Sequence, residues 1–210
     1  MHSSKGTALS AEEMLKMTPP EVLRFLLMDN KPNKHITFDA GFGLLNLVDN
    51  YDKLERVYFK EDEKTAGMKD LNKTYELSQP YNIPEKIPVQ IPYSHLVTVA
   101  QIGDDWDEVK QILVRTDQID KKMTDEDKKR LQRRVEHARF WLEKFAPKNV
   151  KFKVQKHPPK VDLSDVEKKF LKNLKNSFDD IEWNPEEIHN AIYNASEELK
   201  IKTGQAFGTI

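Results

Sequence analysis

The chain has 210 residues, 33% of them charged, with 7 glycines, no cysteine and a net charge of −1. That length suits one large or two small domains, and the lack of cysteine excludes a disulfide framework and any thiolate metal site. No apolar run approaches the roughly 20 residues that cross a bilayer, and no charged-then-apolar leader opens the chain, so the expectation is a cytoplasmic protein with no membrane partner. Few glycines and long charged amphipathic runs predict a mainly α fold with at most one or two short strands. The near-neutral total hides an asymmetry: residues 121–175 hold 18 Lys and Arg against 8 Asp and Glu. Such a concentration favours a polyanionic partner through counterion release. A solvated, salt-bridge-laced helical surface is the other reading.

In chain order, residues 1–10 form a small, polar stretch around Lys5 and Gly6. Hydroxyls and backbone N–H groups in such a loop can donate to a polyphosphate while the lysine neutralises charge. Ser10-Ala11-Glu12-Glu13 is a capping box that opens a short helix ending near Met17. Thr18-Pro19-Pro20-Glu21 restarts a helix, because proline fits a first turn and an acid there suits the dipole. That helix is apolar on most faces, and its lone Arg24 either grips an acidic partner or snorkels outward. Residues 29–34 are a turn, and His35-Ile36-Thr37-Phe38 alternates like a short strand. From residue 41 to 59, Leu44, Leu47, Val48, Tyr51, Leu54 and Tyr58 make one apolar stripe. This helix is expected to be the hub for the two before it, with Asp52 and Arg56 as an exposed i,i+4 pair.

Residues 60–77 are polar with weak periodicity, and residues 78–92 carry Pro80, Pro84, Pro88 and Pro92. That proline spacing forbids a regular helix, so a domain boundary is placed there: 1–77, a linker at 78–92, and 93–210. Beyond it, Gly103 stops a buried helix and Asp104-Asp105 leads the next. Thr124 caps a long helix from about Asp125 to Phe145, and Phe152 and Val154 are candidate strand residues. Ser164-Asp165-Val166-Glu167 is a second capping box, Asn184-Pro185 starts a further helix, and residues 204–210 begin another.

Four segments carry a family resemblance: Met1-His2-Ser3-Ser4-Lys5-Gly6, Pro19-Pro20-Glu21-Val22-Leu23-Arg24-Phe25-Leu26, Lys31-Pro32-Asn33-Lys34-His35-Ile36-Thr37-Phe38-Asp39, and Tyr51-Asp52-Lys53-Leu54-Glu55-Arg56-Val57-Tyr58-Phe59. Residues 1–59 resemble the region around the second signature motif of class I lysyl-tRNA synthetases, the form typical of archaea and some bacteria. The motif's leading lysine is missing, and His2 stands where the family usually has serine. The resemblance implies a C-terminal piece of a longer enzyme, cut short at its C-terminal end as well. Its implied architecture is a stem-contact helical subdomain followed by an α-helical anticodon-binding, helix-cage domain.

The whole enzyme would join L-lysine to its tRNA at the expense of ATP, with Mg2+, as a monomer. The resemblance makes Lys5 with the Ser3 and Ser4 hydroxyls the catalytic groups, and Met1, His2, Ser3, Ser4, Lys5 and Gly6 the ATP-binding loop. Chemically that is charge stabilisation by positioned donors around a phosphoryl centre. For tRNA, Lys31, Lys34 and His35 are candidates at the stem. Arg133, Arg134, His137, Phe140 and Trp141 are candidates at unpaired bases, where aromatics stack and cations meet phosphates. None of the 6 histidines stands in a metal-binding spacing such as H-E-x-x-H, and no P-loop or G-x-S-x-G occurs. The chain alone, without the nucleotide-binding half, is expected to be inactive and to hold no cofactor. The alternative from the residues is a non-enzymatic helical scaffold or an RNA-binding module.

Overall fold

The computed structural model describes residues 9–31, 33–62, 70–155 and 160–210. Among them are ten helices and no strand: α1 Ala11–Met17, α2 Pro20–Met28, α3 Phe42–Tyr58, α4 Leu71–Ser78, α5 Tyr93–Ile102, α6 Trp106–Arg115, α7 Asp125–Lys144, α8 Asp165–Asp179, α9 Pro185–Glu198 and α10 Thr203–Thr209. The mainly α expectation holds. The two candidate strands are absent, because residues 35–38 and 152–154 find no partner strand to bond.

The starts of the helices are set locally. At α1 the Ser10 hydroxyl accepts from the Glu13 amide at 3.1 Å, and the Glu13 carboxylate accepts from the Ser10 amide at 2.9 Å. The same reciprocal box opens α8 between Ser164 and Glu167. Asp105, Thr124 and Asn184 cap α6, α7 and α9 through their side-chain oxygens. Before α3 the cap is Asp39, whose two carboxylate oxygens accept from the amides of Gly41 at 2.8 Å and Gly43 at 3.0 Å. A Cβ on Gly43 would stand 2.5 Å from the Asp39 Cβ, so this cap requires glycine there. Arg24 neither grips an acid nor merely snorkels. It donates twice to the Leu77 carbonyl, at 3.1 and 2.8 Å, and so closes the C-terminal end of α4.

The chain divides into two units, Met1–Val154 and Gln155–Ile210. The proline-rich stretch 78–92 therefore runs inside the first unit, and the helices on both sides of it share one core. That core joins Met17, Phe25, Tyr51, Tyr75, Leu96, Leu113, Leu131 and Trp141. In it α2 packs on α3 and α4, while α5 packs on α3 and α7. The hub role expected of α3 is shared: α1 docks chiefly on α7, the twenty-residue helix that comes more than a hundred positions later. The second unit has its own smaller core, with Phe170 and Leu174 of α8 against Ala191, Ile192 and Ala195 of α9 and Ala206 of α10.

Candidate functional site

The polar centre of the first unit lies between α3 and α7. Asp52 accepts both Arg134 terminal nitrogens, at 2.8 and 2.6 Å, with Arg134 only 1% exposed. One turn along each helix, Glu55 accepts both Arg130 nitrogens, at 3.0 and 2.8 Å. Glu55 also accepts from the Tyr75 hydroxyl at 2.9 Å and from Gln90 at 2.8 Å. Gln90, from the proline-rich stretch, donates as well to the Asp52 carbonyl at 3.0 Å. Thus two acids at i and i+3 on one helix meet two arginines at i and i+4 on another. Paired forks of this kind fix orientation as well as charge.

Burial opposes the charge on Glu55, but Arg130 and the hydrogen bonds from Arg130 and Gln90 outweigh it, so its carboxyl sits below the ordinary range. Burial also opposes charge on Arg134. Asp52 more than offsets it, so this guanidinium stays protonated. The same burial, with Glu55 nearby, pushes the Tyr51 and Tyr75 hydroxyls upward, so both stay neutral. The expected Asp52–Arg56 pair does not form. Asp52 faces inward, and Arg56 meets Asp62 at 2.6 Å and Gln90 at 2.8 Å.

The five candidate base-contacting residues are scattered. Arg134 is locked to Asp52, and Trp141 is 0% exposed, its ring N–H donating to the Ala40 carbonyl at 2.6 Å. Both belong to the core: helical spacing alone cannot say which face is covered, and α1, α3 and α5 cover theirs. Phe140 is half-buried against the same core beside Phe145. His137 Nδ1 lies 2.7 Å from the Lys16 carbonyl at the end of α1. A carbonyl only accepts, so Nδ1 carries the proton. Burial holds this imidazole below its usual pKa, against the bond to Lys16 and the nearby acids Glu21 and Glu136 that raise it. Arg133 is half-buried, its guanidinium 5.5 Å from the ring of Tyr81, which is 68% exposed.

Lys31, Lys34 and His35 are all exposed in the turn between α2 and α3. The loop residues Met1, His2, Ser3, Ser4, Lys5 and Gly6 lie outside the described residues. What is described is their anchor, α1, capped by Ser10 and tied to α7 through His137.

Asp52, Glu55, Arg130, Gln90, Asp39 and Tyr81 were missed as structural determinants. The acidic pair on α3 and the basic pair on α7 were legible as spacings. Nothing in the sequence said that the two pairs face each other.

Residues 1–81 match the family described as tRNA synthetases class I (K). The lysine–tRNA ligase of Picrophilus torridus is 38% identical over 99% of this chain, which covers 39% of that protein. That of Archaeoglobus fulgidus is 37% identical over the whole chain, covering 38% of its length. The Thermoplasma acidophilum ligase is 33% identical over 99% of the chain and 39% of its own length. The chain thus spans about two fifths of the curated relatives it matches. With a family match from residue 1 to 81 and similarity that continues to the last helix, the chain is similar along essentially its whole length to class I lysyl-tRNA synthetases.

Proposed function

We propose that this chain serves a lysine–tRNA ligase as the part that carries the ATP-contacting signature loop and a helical body for tRNA. The observation that carries the reading is similarity over essentially the whole chain to lysine–tRNA ligases, at 38% identity in one of them. The substrates of that reaction are L-lysine, ATP with its magnesium ion, and the lysine tRNA. Lys5 and the Ser3 and Ser4 hydroxyls stabilise charge on the triphosphate, which donors of this type do when held near developing charge. Met1, His2 and Gly6 complete the loop, and its last residues lead into α1, whose start is fixed by the Ser10–Glu13 box. Lys31, Lys34 and His35 meet backbone phosphates of the tRNA, and half-buried Arg133 adds a cation on the α7 side. Arg134 and Trp141 support that surface from beneath, without touching RNA.

Fluorescence anisotropy with lysine tRNA at low and at high salt tests the reading. Binding by the 210-residue chain should weaken steeply as salt rises, because phosphate contacts release counterions. Binding that ignores salt, or no binding, counts against it. In the same preparation, pyrophosphate exchange with lysine and ATP should be absent from the chain alone. It should appear when a protein carrying the remaining part of the ligase is added.

A further inference from the structure

We infer that Trp141 and Asp39 are positioning residues: without touching RNA, they hold the strap between α2 and α3 that presents Lys31, Lys34 and His35 to backbone phosphates. This rests on the phosphate-contacting role proposed above for those three residues. The described residues between α2 and α3 form no helix or strand, so no ladder of backbone bonds holds them. Their shape depends on a few discrete ties. Near the start, the Asn30 side chain donates to the Leu26 carbonyl at 2.8 Å, in the last turn of α2. Next, the Lys34 amide donates to the Lys31 carbonyl at 2.9 Å. That bond closes a β-turn, whose end residues lie within about 7 Å of each other at Cα. Lys31 and Lys34 are thereby neighbours in space, both exposed, with exposed His35 next in the chain. Beyond the turn, Phe38 and Ala40 pack on the core of the first unit.

The far end of the strap is fixed from outside the two helices it connects. The Trp141 ring N–H donates to the Ala40 carbonyl at 2.6 Å, from a side chain that is fully buried. Trp141 belongs to α7, 101 positions further along the chain. Beside Ala40, Asp39 turns the strap into α3 by accepting from the amides of Gly41 and Gly43. The close approach of Asp39 to Gly43 leaves this entry little room to vary. Between these ties the exposed part of the strap has no other support from regular structure. A loose strap would have to be ordered by the RNA, and the entropy lost in ordering it is subtracted from affinity. A strap held in advance offers its cations in place, which is how a rigid supporting layer serves a binding surface. The gain cannot exceed the strength of the ties themselves, so the effect of each tie is bounded by the net worth of a hydrogen bond or two.

The test is a double-mutant cycle on the 210-residue chain, read by the anisotropy of labelled lysine tRNA over a series of salt concentrations. Lys31→Ala with Lys34→Ala should weaken binding and lower the salt slope by about two, one for each phosphate contact. Trp141→Phe keeps an aromatic ring and deletes the N–H. In the parent it should weaken binding roughly 2- to 12-fold, which is one hydrogen bond expressed as a ratio of affinities. In the double-lysine background the same substitution should leave the remaining affinity unchanged, because the cations it positions are gone. A role confined to stability would give equal losses in both backgrounds. Asp39 is exposed, so Asp39→Ala repeats the test away from the core, and Asp39→Asn, which keeps one accepting oxygen, should restore part of the loss. Circular dichroism melts show which variants are folded at the titration temperature, and if Trp141→Phe is not, the Asp39 pair decides. Equal losses in both backgrounds, or no loss in the parent, overturn the positioning role and leave the tRNA reading standing. A double-lysine variant with the parent's affinity and slope removes phosphate contact from this turn, and the positioning role falls with it. If the parent itself binds no tRNA, the tRNA reading fails.

Discussion

Asp52 and Arg134 form a pair in which both charges have left water. Removing one partner strands the other, and for a buried pair that costs about 3–5 kcal/mol. Asp52→Ala should therefore lower stability by that order in urea unfolding. A joint replacement of Asp52 and Arg134 by apolar residues of similar volume should recover much of the loss. A double variant no more stable than Asp52→Ala would show that the pair's own attraction, not the stranded charge, sets the cost. Glu55 adds a pH dependence with a definite sign. Its folded-state pKa lies below the ordinary 4.5, so its contribution is complete above about 4.5. It is lost as pH falls through the lowered folded value. Glu55→Gln should accordingly be weaker than the parent at neutral pH, and the gap should close on acidification below about 4.5. A gap that stays constant down to low pH would remove Glu55 from the charged network.

Among the helices, α1 depends on a distant partner. At 7 residues it is far below the length at which an isolated helix is stable in water. Its capping box and its packing on α7 hold it. His137→Ala removes the bond to the Lys16 carbonyl and should cost about 0.5–1.5 kcal/mol, the usual net worth of one hydrogen bond. Because the imidazole pKa is depressed from 6.5, His137 weakens the fold only as pH drops below about 6.5. Hydrogen exchange in α1 should rise in that window in the parent and not in His137→Ala. Ser10→Ala should loosen the same helix by about 1 kcal/mol, read from the same amides. The helix starts were legible, since Ser10, Asp105, Thr124, Ser164 and Asn184 each act within four residues of themselves. The partner of α1 was not, because a contact spanning 121 positions leaves no local signal.

At the scale of the molecule, the two cores share no residue, so each unit should unfold by itself. A protein of residues 1–154 should keep a cooperative melt, and its near-ultraviolet circular dichroism should retain the buried Trp141 signal. A broad, uncooperative melt would mean that the first core needs the second unit. The prolines at 80, 84, 88 and 92 predicted a break in the helices, and the break is there. They did not mark a domain boundary, because Gln90 and Val89 tie the stretch to α3 and α7, the latter through Asp127 at 2.9 Å. Composition, caps and periodicity by themselves determined the helical class and the positions of most helices, since these depend on residues near one another in sequence, while the four segments within residues 1–59 carried the family resemblance. Which arginines are buried, which aromatics stay open and where the chain divides were decided only in three dimensions. Periodicity says that a helix has two faces, and only packing decides which of them is covered.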